Sequence, residues 1–333
     1  MPVNQSPEYI KADLRYRAAI TPADKLAALE EMFRLVPKHK GSEKLQSQLK
    51  QRIKVARQEL QQPRSRSGVG HRDPFAVSKQ GAGQVALLGA ANVGKSAIVH
   101  ALTDARVEVA EFPYSTHTAI PGMAKHEDVP IQLVDMPPVM DGQAQPGMVG
   151  AYRLADVILL VVDLAAVGLL DQFEQPLALL KDRKMRPVST PLLEPDEQEP
   201  EAEPKRVLVA ANKYDVPGAA DDFEGLQELC GGDLKMVPVS AETGEGLDAM
   251  MAELFELLRV IRIYAKKPGK PVDRDEPFIL PKGGDVAELA SHVHRELADK
   301  LKTARVWGRG VHDGQQVHHS HVLSDKDVVE LHF

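Results

Sequence analysis

The stretch Gly89-Ala-Ala-Asn-Val-Gly94-Lys95-Ser96 decides the fold class of this chain. Its G-x-x-x-x-G-K-S spacing is that of a loop whose backbone N–H groups wrap a polyphosphate, whose lysine reaches the outer phosphates and whose hydroxyl meets Mg²⁺. Gln84 to Leu88 before it predicts a buried strand, and Ser96 to Thr103 after it predicts a helix. This order predicts an α/β domain with a mostly parallel sheet and helices on both faces.

A second motif, Asn212-Lys213-Tyr214-Asp215, predicts which base is bound. The spacing of the phosphate loop alone does not exclude that it binds another nucleotide or that the motif is a chance match. A carboxylate placed like that of Asp215 accepts hydrogen bonds from the N1 and exocyclic amino donors of guanine, and adenine lacks this donor pair. Val207 to Ala211 predicts a buried strand ending at Asn212, where open α/β sheets bind ligands. The two motifs together predict GTP and oppose an ATP-dependent kinase or ATPase.

Two segments between these motifs are candidates for sensing the third phosphate. Ile131 to Val134 predicts a strand that delivers Asp135 to its end, where a carboxylate can hold Mg²⁺ through a water. Glu108 to Gly122 has the character of a switch loop, with Thr116 as its candidate Mg²⁺ ligand and Thr118 as the alternative. The alternative interpretation, that this segment is an ordinary polar loop with no switch function, is left open.

The predicted site therefore combines several segments. Ser96, Thr116 and Asp135 are the candidate metal ligands, and Lys95, Thr116 and Asn92 are the candidates for hydrolysis. The strand predicted from Met236 to Val239 leads into an element similar to the S-A-x element that supports the guanine ring in small GTPases. The candidate nucleotide-binding residues are Gly89, Ala90, Ala91, Asn92, Val93, Gly94, Lys95, Ser96, Ala97, Asp135, Asn212, Lys213, Asp215, Ser240, Ala241 and Glu242.

These motifs carry a family resemblance. The phosphate loop, the run from Glu108 to Gly122, Asp135-Met-Pro and the base motif resemble the Obg superfamily of translation-factor-class GTPases, and most of all its DRG (developmentally regulated GTP-binding) branch. The C-terminal part resembles the TGS domain that ends DRG proteins. The matching stretches are Arg262 to Gly269, Phe278 to Lys282, the helix from Asp285, Ala304 to Gly308 and Leu323 to Leu331.

The resemblance implies a fold, ligands and partners. It implies a basic helical region with a hinge at 1–80, a GTPase domain at 81–259 and a TGS domain of the β-grasp fold at 260–333. It also implies binding of GTP and GDP with Mg²⁺, slow GTP hydrolysis, and action on the ribosome or ribosomal RNA in translation or ribosome assembly. Neither DNA nor a membrane is an expected partner.

The sequence departs from the family at two places. Where the family has Asp-x-Pro-Gly, this chain has Asp135-Met-Pro137-Pro138, and proline has no N–H to donate to the third phosphate. Loss of one charge-assisted bond costs ~1.5 to 3 kcal/mol, roughly ten- to a hundredfold in preference for GTP over GDP. The second departure is that 181–206 is too short for the domain that DRG proteins insert there. A regulating protein partner, or an adaptor without a GTP-driven cycle, is therefore the rival reading.

Two residues bear on hydrolysis. Ras-like enzymes orient the attacking water with a glutamine, and the matching Val139 cannot do so, as is usual in this superfamily. Asn92 resembles the asparagine that helps K⁺-activated GTPases hold K⁺ against the phosphates. A loop asparagine that tolerates unusual backbone angles is the alternative.

Charge is unevenly distributed along the chain. The net charge is −7, yet Arg34 to Lys79 holds twelve Lys or Arg against three acids. Such a region favours binding of a polyanion, of which RNA is the most plausible. The alternative, a solvated basic face that binds no partner, is left open. Predicted helices from Thr21 and from Ser42 carry this charge, and a hinge follows Leu60.

Composition excludes several other classes. With 333 residues and 43% apolar content the chain has room for two or three domains with real cores. A single cysteine, Cys230, suits a reducing cytoplasm, and no apolar run approaches the ~18 residues of a membrane span.

Glu194 to Glu203 has six acids and no base, which predicts a disordered loop spanning about 186–205. Two interpretations are open for His312, His318, His319 and His321. They are surface histidines, which is the favoured interpretation, or they form a metal site.

Overall fold

The structure is a computed structural model that describes residues 22–36, 49–50, 53, 74–103, 118–140, 143–190, 201–230, 232, 234–274, 276–293 and 301–332. The chain forms two compact units, Met1–His71 and Arg72–Phe333. In the first unit, helix α1 (Pro22–Leu35) buries Leu29 and Met32 against Leu49 and Ile53. These apolar residues make a small core within the first unit.

The second unit begins with a mostly parallel sheet. Its strands are β1 (Gln84–Leu88), β2 (Ile120–His126), β3 (Val129–Asp135), β4 (Val157–Asp163), β5 (Met185–Val188), β6 (Glu203–Asn212) and β7 (Met236–Pro238). The order is β2-β3-β1-β4-β6-β5, with β7 also paired to β6. Only the β2–β3 pair is antiparallel among these described strands. The carboxyl ends of β1, β3, β4 and β6 therefore meet at one edge of the sheet.

Helices cover both faces of this sheet. They are α2 (Lys95–Leu102), α3 (Met148–Leu154), α4 (Leu169–Asp182), α5 (Ala219–Leu229) and α6 (Leu247–Leu258). Helices α3, α4 and α5 contribute to one apolar core, and α2 and α6 contribute to the other. Residues 74–80 join this unit, since Phe75 is 3% exposed in the first of these cores. The α/β fold predicted from the phosphate loop is confirmed.

The acidic loop predicted at about 186–205 is too long, because strands occupy both of its ends. Strand β5 occupies its start and β6 its end, and Val188 pairs with Arg206 in parallel register. The strands extend this far because Met185 and Val207 are buried apolar residues and the Ser189 hydroxyl donates to the Val207 carbonyl at 2.6 Å. Residues 191–200 lie outside the described residues.

A second sheet forms the C-terminal part of this unit. Its elements are β8 (Val260–Ala265), β9 (Phe278–Pro281), α7 (Val286–Val293), β10 (Thr303–Trp307), β11 (Gln315–Val317) and β12 (Asp327–His332). The strand order is β11-β10-β12-β8-β9, and α7 packs Val286 and Leu289 into its core. The described part of this helix ends at Val293, and 294–300 lie outside the described residues. The small sheet with one helix is consistent with the expected β-grasp domain.

Arg262 joins the two sheets. Its side chain is 3% exposed, and its guanidinium donates to the carboxylates of Glu127 at 2.5 Å and Asp128 at 2.7 Å in the turn between β2 and β3. It also bonds Asp325 at 3.1 Å and lies 5.0 Å from the ring centroid of Phe255 on α6. One arginine therefore ties the second sheet to the strands that enclose Asp135.

The described part of the chain shows neither a membrane-spanning helix nor a cluster of metal-ligand side chains. None of its helices combines the length and apolarity needed to cross a bilayer. It contains no group of three or more His, Cys, Asp or Glu side chains that could hold a metal ion. The His318 and His319 rings stack at 3.6 Å between centroids, and the carbonyls of His319 and His321 accept hydrogen bonds from the start of α7. The bonds to α7 therefore come from the backbone of this segment and do not depend on the imidazole side chains.

Candidate guanine-nucleotide site

The phosphate loop runs from Gly89 after β1 to Ser96 at the start of α2. Gly94 has a φ of 98°, and a Cβ built on it would lie 2.1 Å from the Asn212 side-chain nitrogen. Glycine is therefore required at this position both by the backbone angle and by the close approach of the base motif. The geometry brings the two sequence motifs into contact.

Lys95 is held inside the loop. Its ammonium donates to the carbonyls of Gly89 at 3.1 Å and Ala90 at 2.6 Å, and the residue is 6% exposed. Burial lowers the pKa of Lys95 to about 8, and the charge of Asp135 opposes that shift. A buried ammonium whose hydrogen bonds go to neutral carbonyls is an electrostatic site for a phosphate anion.

Ser96 and Asp135 meet beside Lys95. The Ser96 hydroxyl donates to Asp135 Oδ2 at 2.6 Å, and Asp135 is 0% exposed. Burial raises the pKa of the Asp135 carboxyl, while the bond from Ser96 and the charge of Lys95 act in the opposite direction. Asp135 Oδ1 is buried and makes no hydrogen bond within the described residues. An orphaned carboxylate oxygen beside a hydroxyl fits Mg²⁺, a hard cation that prefers oxygen ligands.

The third candidate metal ligand belongs to the predicted switch loop. Thr116 lies outside the described residues, as does most of the predicted switch loop. Thr118, its alternative, is exposed just before β2. The roles predicted for these two threonines stay predictions.

The segment after Asp135 contacts the phosphate loop through its backbone. The N–H of Val139 donates to the Gly89 carbonyl at 3.1 Å, and the Val139 side chain is buried in the core. Pro138, the residue before it, has no N–H. The N–H of Val139, which is the donor nearest to the one that Pro138 lacks, is therefore already bonded to the Gly89 carbonyl.

Asn212 connects the phosphate loop to the base side of the site. Its amide nitrogen donates to the Val93 carbonyl at 2.9 Å, and its amide oxygen accepts from the Ala241 N–H at 3.0 Å. Asn212 is 2% exposed. Three separate stretches of chain are joined by this one side chain.

Asp215 is exposed and oriented. The Ser240 hydroxyl donates to Asp215 Oδ1 at 2.6 Å and accepts from the Thr243 N–H at 3.1 Å. Ser240 is fully buried, whereas Asp215 and Glu242 face solvent. A carboxylate fixed in this way can present its other oxygen to a ligand such as the donor edge of guanine.

Asn92 adopts a left-handed backbone with a φ of 63° and is exposed. This conformation fits the interpretation of Asn92 as a loop asparagine. It leaves the K⁺ hypothesis as a prediction, because an exposed amide remains accessible to a cation.

Sequence reasoning missed Asp163. Its Oδ2 accepts from the Lys213 ammonium at 2.6 Å, and it pairs in register with Asn212 across β4 and β6. The available signal was an acid directly after the apolar run Val157 to Val162. Such a residue lies at the same edge of a parallel sheet as the base motif.

Known proteins resemble this chain in the same regions. Residues 84–213 match a family described as 50S ribosome-binding GTPase, and residues 261–332 match the TGS domain family. The fold, the phosphate loop and the base motif thus define a P-loop protein of the GTPase class with a TGS domain.

Relatives aligned over most of the chain narrow this class. The chain is 29% identical to Developmentally-regulated G-protein 1 of Arabidopsis thaliana, over 92% of this chain and 90% of the relative. It is 28% identical to GTP-binding protein 1 of Schizosaccharomyces pombe, over 92% and 98% of the two chains. The G domain of the T. maritima FeoB iron transporter aligns with 27% identity and a TM-score of 0.37, covering 52% of this chain and 97% of that one. The chain is thus similar, over 92% of its length, to proteins named as developmentally regulated GTP-binding proteins.

Proposed function

We propose that the chain binds GTP and GDP with Mg²⁺, hydrolyses GTP slowly, and acts on the ribosome or RNA in the cytoplasm. The observation that carries the proposal is the position of Asn212, which bonds both the phosphate loop at Val93 and the loop at Ala241. Phosphate-binding and base-reading groups therefore belong to one site. The family description of a ribosome-binding GTPase supports the choice of partner.

Each residue has a defined part in this proposal. Lys95 and the loop N–H groups bind the phosphates, and Asp215 reads the guanine edge. Ser96 and Asp135 would hold Mg²⁺, with Thr116 as the further proposed ligand. When bound, the ion would neutralise charge on the phosphate oxygens. Lys95 supplies a positive charge that stabilises the negative charge developing during transfer.

Equilibrium binding of fluorescent GTP, GDP and ATP tests the nucleotide class. We expect both guanine nucleotides to bind and ATP to bind at least a hundredfold more weakly, because Asp215 offers no match to adenine. Lys95→Met should abolish binding, while the matched control Lys125→Met, an exposed lysine on β2, should leave it intact. Equal affinity for ATP would refute the proposal.

Hydrolysis is proposed to be slow because Val139 is apolar and buried, so it cannot orient water. Asn92 is proposed to bind K⁺ beside the phosphates. Turnover would then be severalfold faster in KCl than in NaCl, and Asn92→Ala would remove the difference. Equal rates in both salts would leave Asn92 with a role in loop geometry alone.

RNA binding is proposed for the basic N-terminal region. Arg34 to Lys79 carries twelve Lys or Arg against three acids, which favours phosphate neutralisation. Deleting residues 1–70 should preserve GTP binding, weaken co-sedimentation with ribosomes and flatten its salt dependence. Unchanged co-sedimentation across a salt series would contradict this part of the proposal.

An adaptor is the second candidate function. Pro138 supplies no donor, and the next N–H, that of Val139, is bonded to Gly89. A nucleotide that makes equal contacts in both switch states cannot shift their populations. In that case the chain would stay loaded with nucleotide and bind partners through its helical region and TGS domain, under the control of a partner protein.

A further inference from the structure

We infer that Asp163 is a positioning residue for guanine recognition, acting through Lys213. The inference deepens the proposed function and rests on it. Asp163 lies at the end of β4, where its carboxylate bonds the Lys213 ammonium at 2.6 Å. The two residues come from neighbouring parallel strands whose register pairs Asp163 with Asn212.

The carboxylate of Asp163 is itself held in a fixed orientation. Its Oδ1 accepts from the Ala165 N–H at 2.9 Å, and its backbone N–H donates to Gln172 Oε1 at 2.9 Å. Asp163 is 8% exposed, whereas the Lys213 side chain is 40% exposed. A rigid, nearly buried anion therefore anchors the mobile end of a flexible, half-exposed side chain.

The backbone of Lys213 directs this arrangement. Lys213 has a φ of 64° and stands between the buried Asn212 and the exposed Asp215. With its ammonium held by Asp163, the four-carbon stem is available to cover the flat apolar face of a purine ring. The rotamer entropy of the long stem is lost before the ligand arrives, which favours binding.

Charge gives Asp163 a second effect on the site. Lys213 is two residues from Asp215, the carboxylate proposed to read guanine. An ammonium released from Asp163 could pair with Asp215 and compete with the guanine donors for the same oxygens. Asp163 thus keeps the reading carboxylate open. The expected defect on its loss concerns the base and leaves the phosphates unaffected.

A double-mutant cycle with Asp163→Asn and Lys213→Ala tests the inference. Dissociation constants are measured for GDP, a non-hydrolysable GTP analogue and inorganic tripolyphosphate. Asp163→Asn should weaken both nucleotides about tenfold and leave tripolyphosphate unchanged. It should have no further effect in the Lys213→Ala background. Asn keeps an acceptor for the Ala165 N–H, so this variant retains the local fold even if Asp163→Ala does not.

The matched control is Glu253→Gln, which breaks the Lys235–Glu253 ion pair of 2.5 Å away from the site and should change none of the three constants. Additive losses in the cycle, an equal loss of tripolyphosphate binding, or unchanged nucleotide binding in Asp163→Asn would overturn the inference alone. A wild-type chain that binds neither guanine nucleotide would overturn the proposed function and the inference with it.

Discussion

At the scale of single residues, the candidate site contains two buried ionisable side chains, those of Lys95 and Asp135, beside the phosphate loop. Lys95 and Asp135 are both nearly inaccessible, and the pKa of each is shifted toward its neutral form by burial. Charges in such positions favour a ligand that restores their solvation. A polyphosphate with its divalent cation has the required complementary charges.

The lowered pKa of Lys95 leads to a prediction about pH. In the free protein the ammonium loses its proton as pH rises through about 8, whereas a bound polyphosphate favours the charged form. Binding should therefore take up a proton above pH 8, and GDP affinity should fall there by up to about tenfold per pH unit. Calorimetry in buffers of different ionisation enthalpy measures the uptake. The control is Lys95→Arg, whose side chain stays charged and should take up no proton. Proton release on binding would contradict the prediction.

A second prediction concerns Asp215. Asp215→Asn should shift preference from guanine toward xanthine nucleotides, because the amide can donate to the 2-oxygen of xanthine. Asp222→Asn, an exposed acid on α5, is the matched control. Competition binding of GDP and XDP measures the ratio. Unchanged GDP affinity in Asp215→Asn would exclude this carboxylate as the guanine reader.

At the scale of elements, the segment from Asp135 to α3 is fixed at both ends. Val139 bonds Gly89 at its start, while the Lys205 ammonium caps the C-terminal end of α3 by donating to the carbonyls of Arg153 and Ala155. Lys205 is 7% exposed, and burial lowers its pKa to about 8. Of these two anchors only the Val139 bond lies at the phosphate loop, so movement on nucleotide exchange should concentrate at the N-terminal end of the segment.

Pro138→Gly tests the missing donor. The wild type should bind GDP and a non-hydrolysable GTP analogue with similar affinity, and Pro138→Gly should favour the analogue by ten- to a hundredfold, because glycine restores one charge-assisted bond. Pro137→Gly is the matched control, since it adds flexibility without a donor at position 138. A wild-type preference of tenfold or more would mean that the Val139 N–H exchanges Gly89 for the phosphate.

At the scale of the whole molecule, Arg262 connects the two sheets of the second unit. Its guanidinium is shared by acids of both sheets, and Tyr264 adds a hydrogen bond of 2.6 Å to Asp128. The turn at Glu127 and Asp128 connects β2, which follows the predicted switch loop, to β3, which ends at Asp135. A displacement of these strands would reach the TGS domain through this contact.

Arg262→Ala should destabilise this unit. Removing the cation takes a counter-charge from three neighbouring carboxylates, of which, within the described residues, only Glu127 keeps another, that of Lys326, at a cost of about 2 kcal/mol after allowance for their partial exposure. Arg262→Lys should recover part of this, since an ammonium keeps the charge and loses the fork geometry. Differential scanning calorimetry measures the change, with exposed Arg305→Ala as the control. An unchanged melting temperature would contradict the role of Arg262 as a tie.

Sequence was most informative where one short stretch carries both local structure and chemistry. The glycine loop and the Asn212 motif could be located because each follows a buried apolar strand and has fixed spacing. The contacts of Asp163 and Arg262 could not be predicted, because their partners lie 50 and 63 to 135 residues away along the chain, and only the folded sheets bring them close. The loop predicted at about 186–205 was too long because an acidic composition obscured the β5–β6 pairing.

The bridge that Asn212 makes between Val93 and Ala241 has a consequence for how tightly a nucleotide can be held. It fixes the distance between the proposed phosphate subsite and the proposed base subsite, so a nucleotide would act as a bivalent ligand whose two halves are already correctly spaced. Once one half has bound, the other meets its subsite at a high effective concentration. Guanosine and tripolyphosphate offered separately would each lose that chelate advantage, and the stiffness of a single amide side chain sets its size.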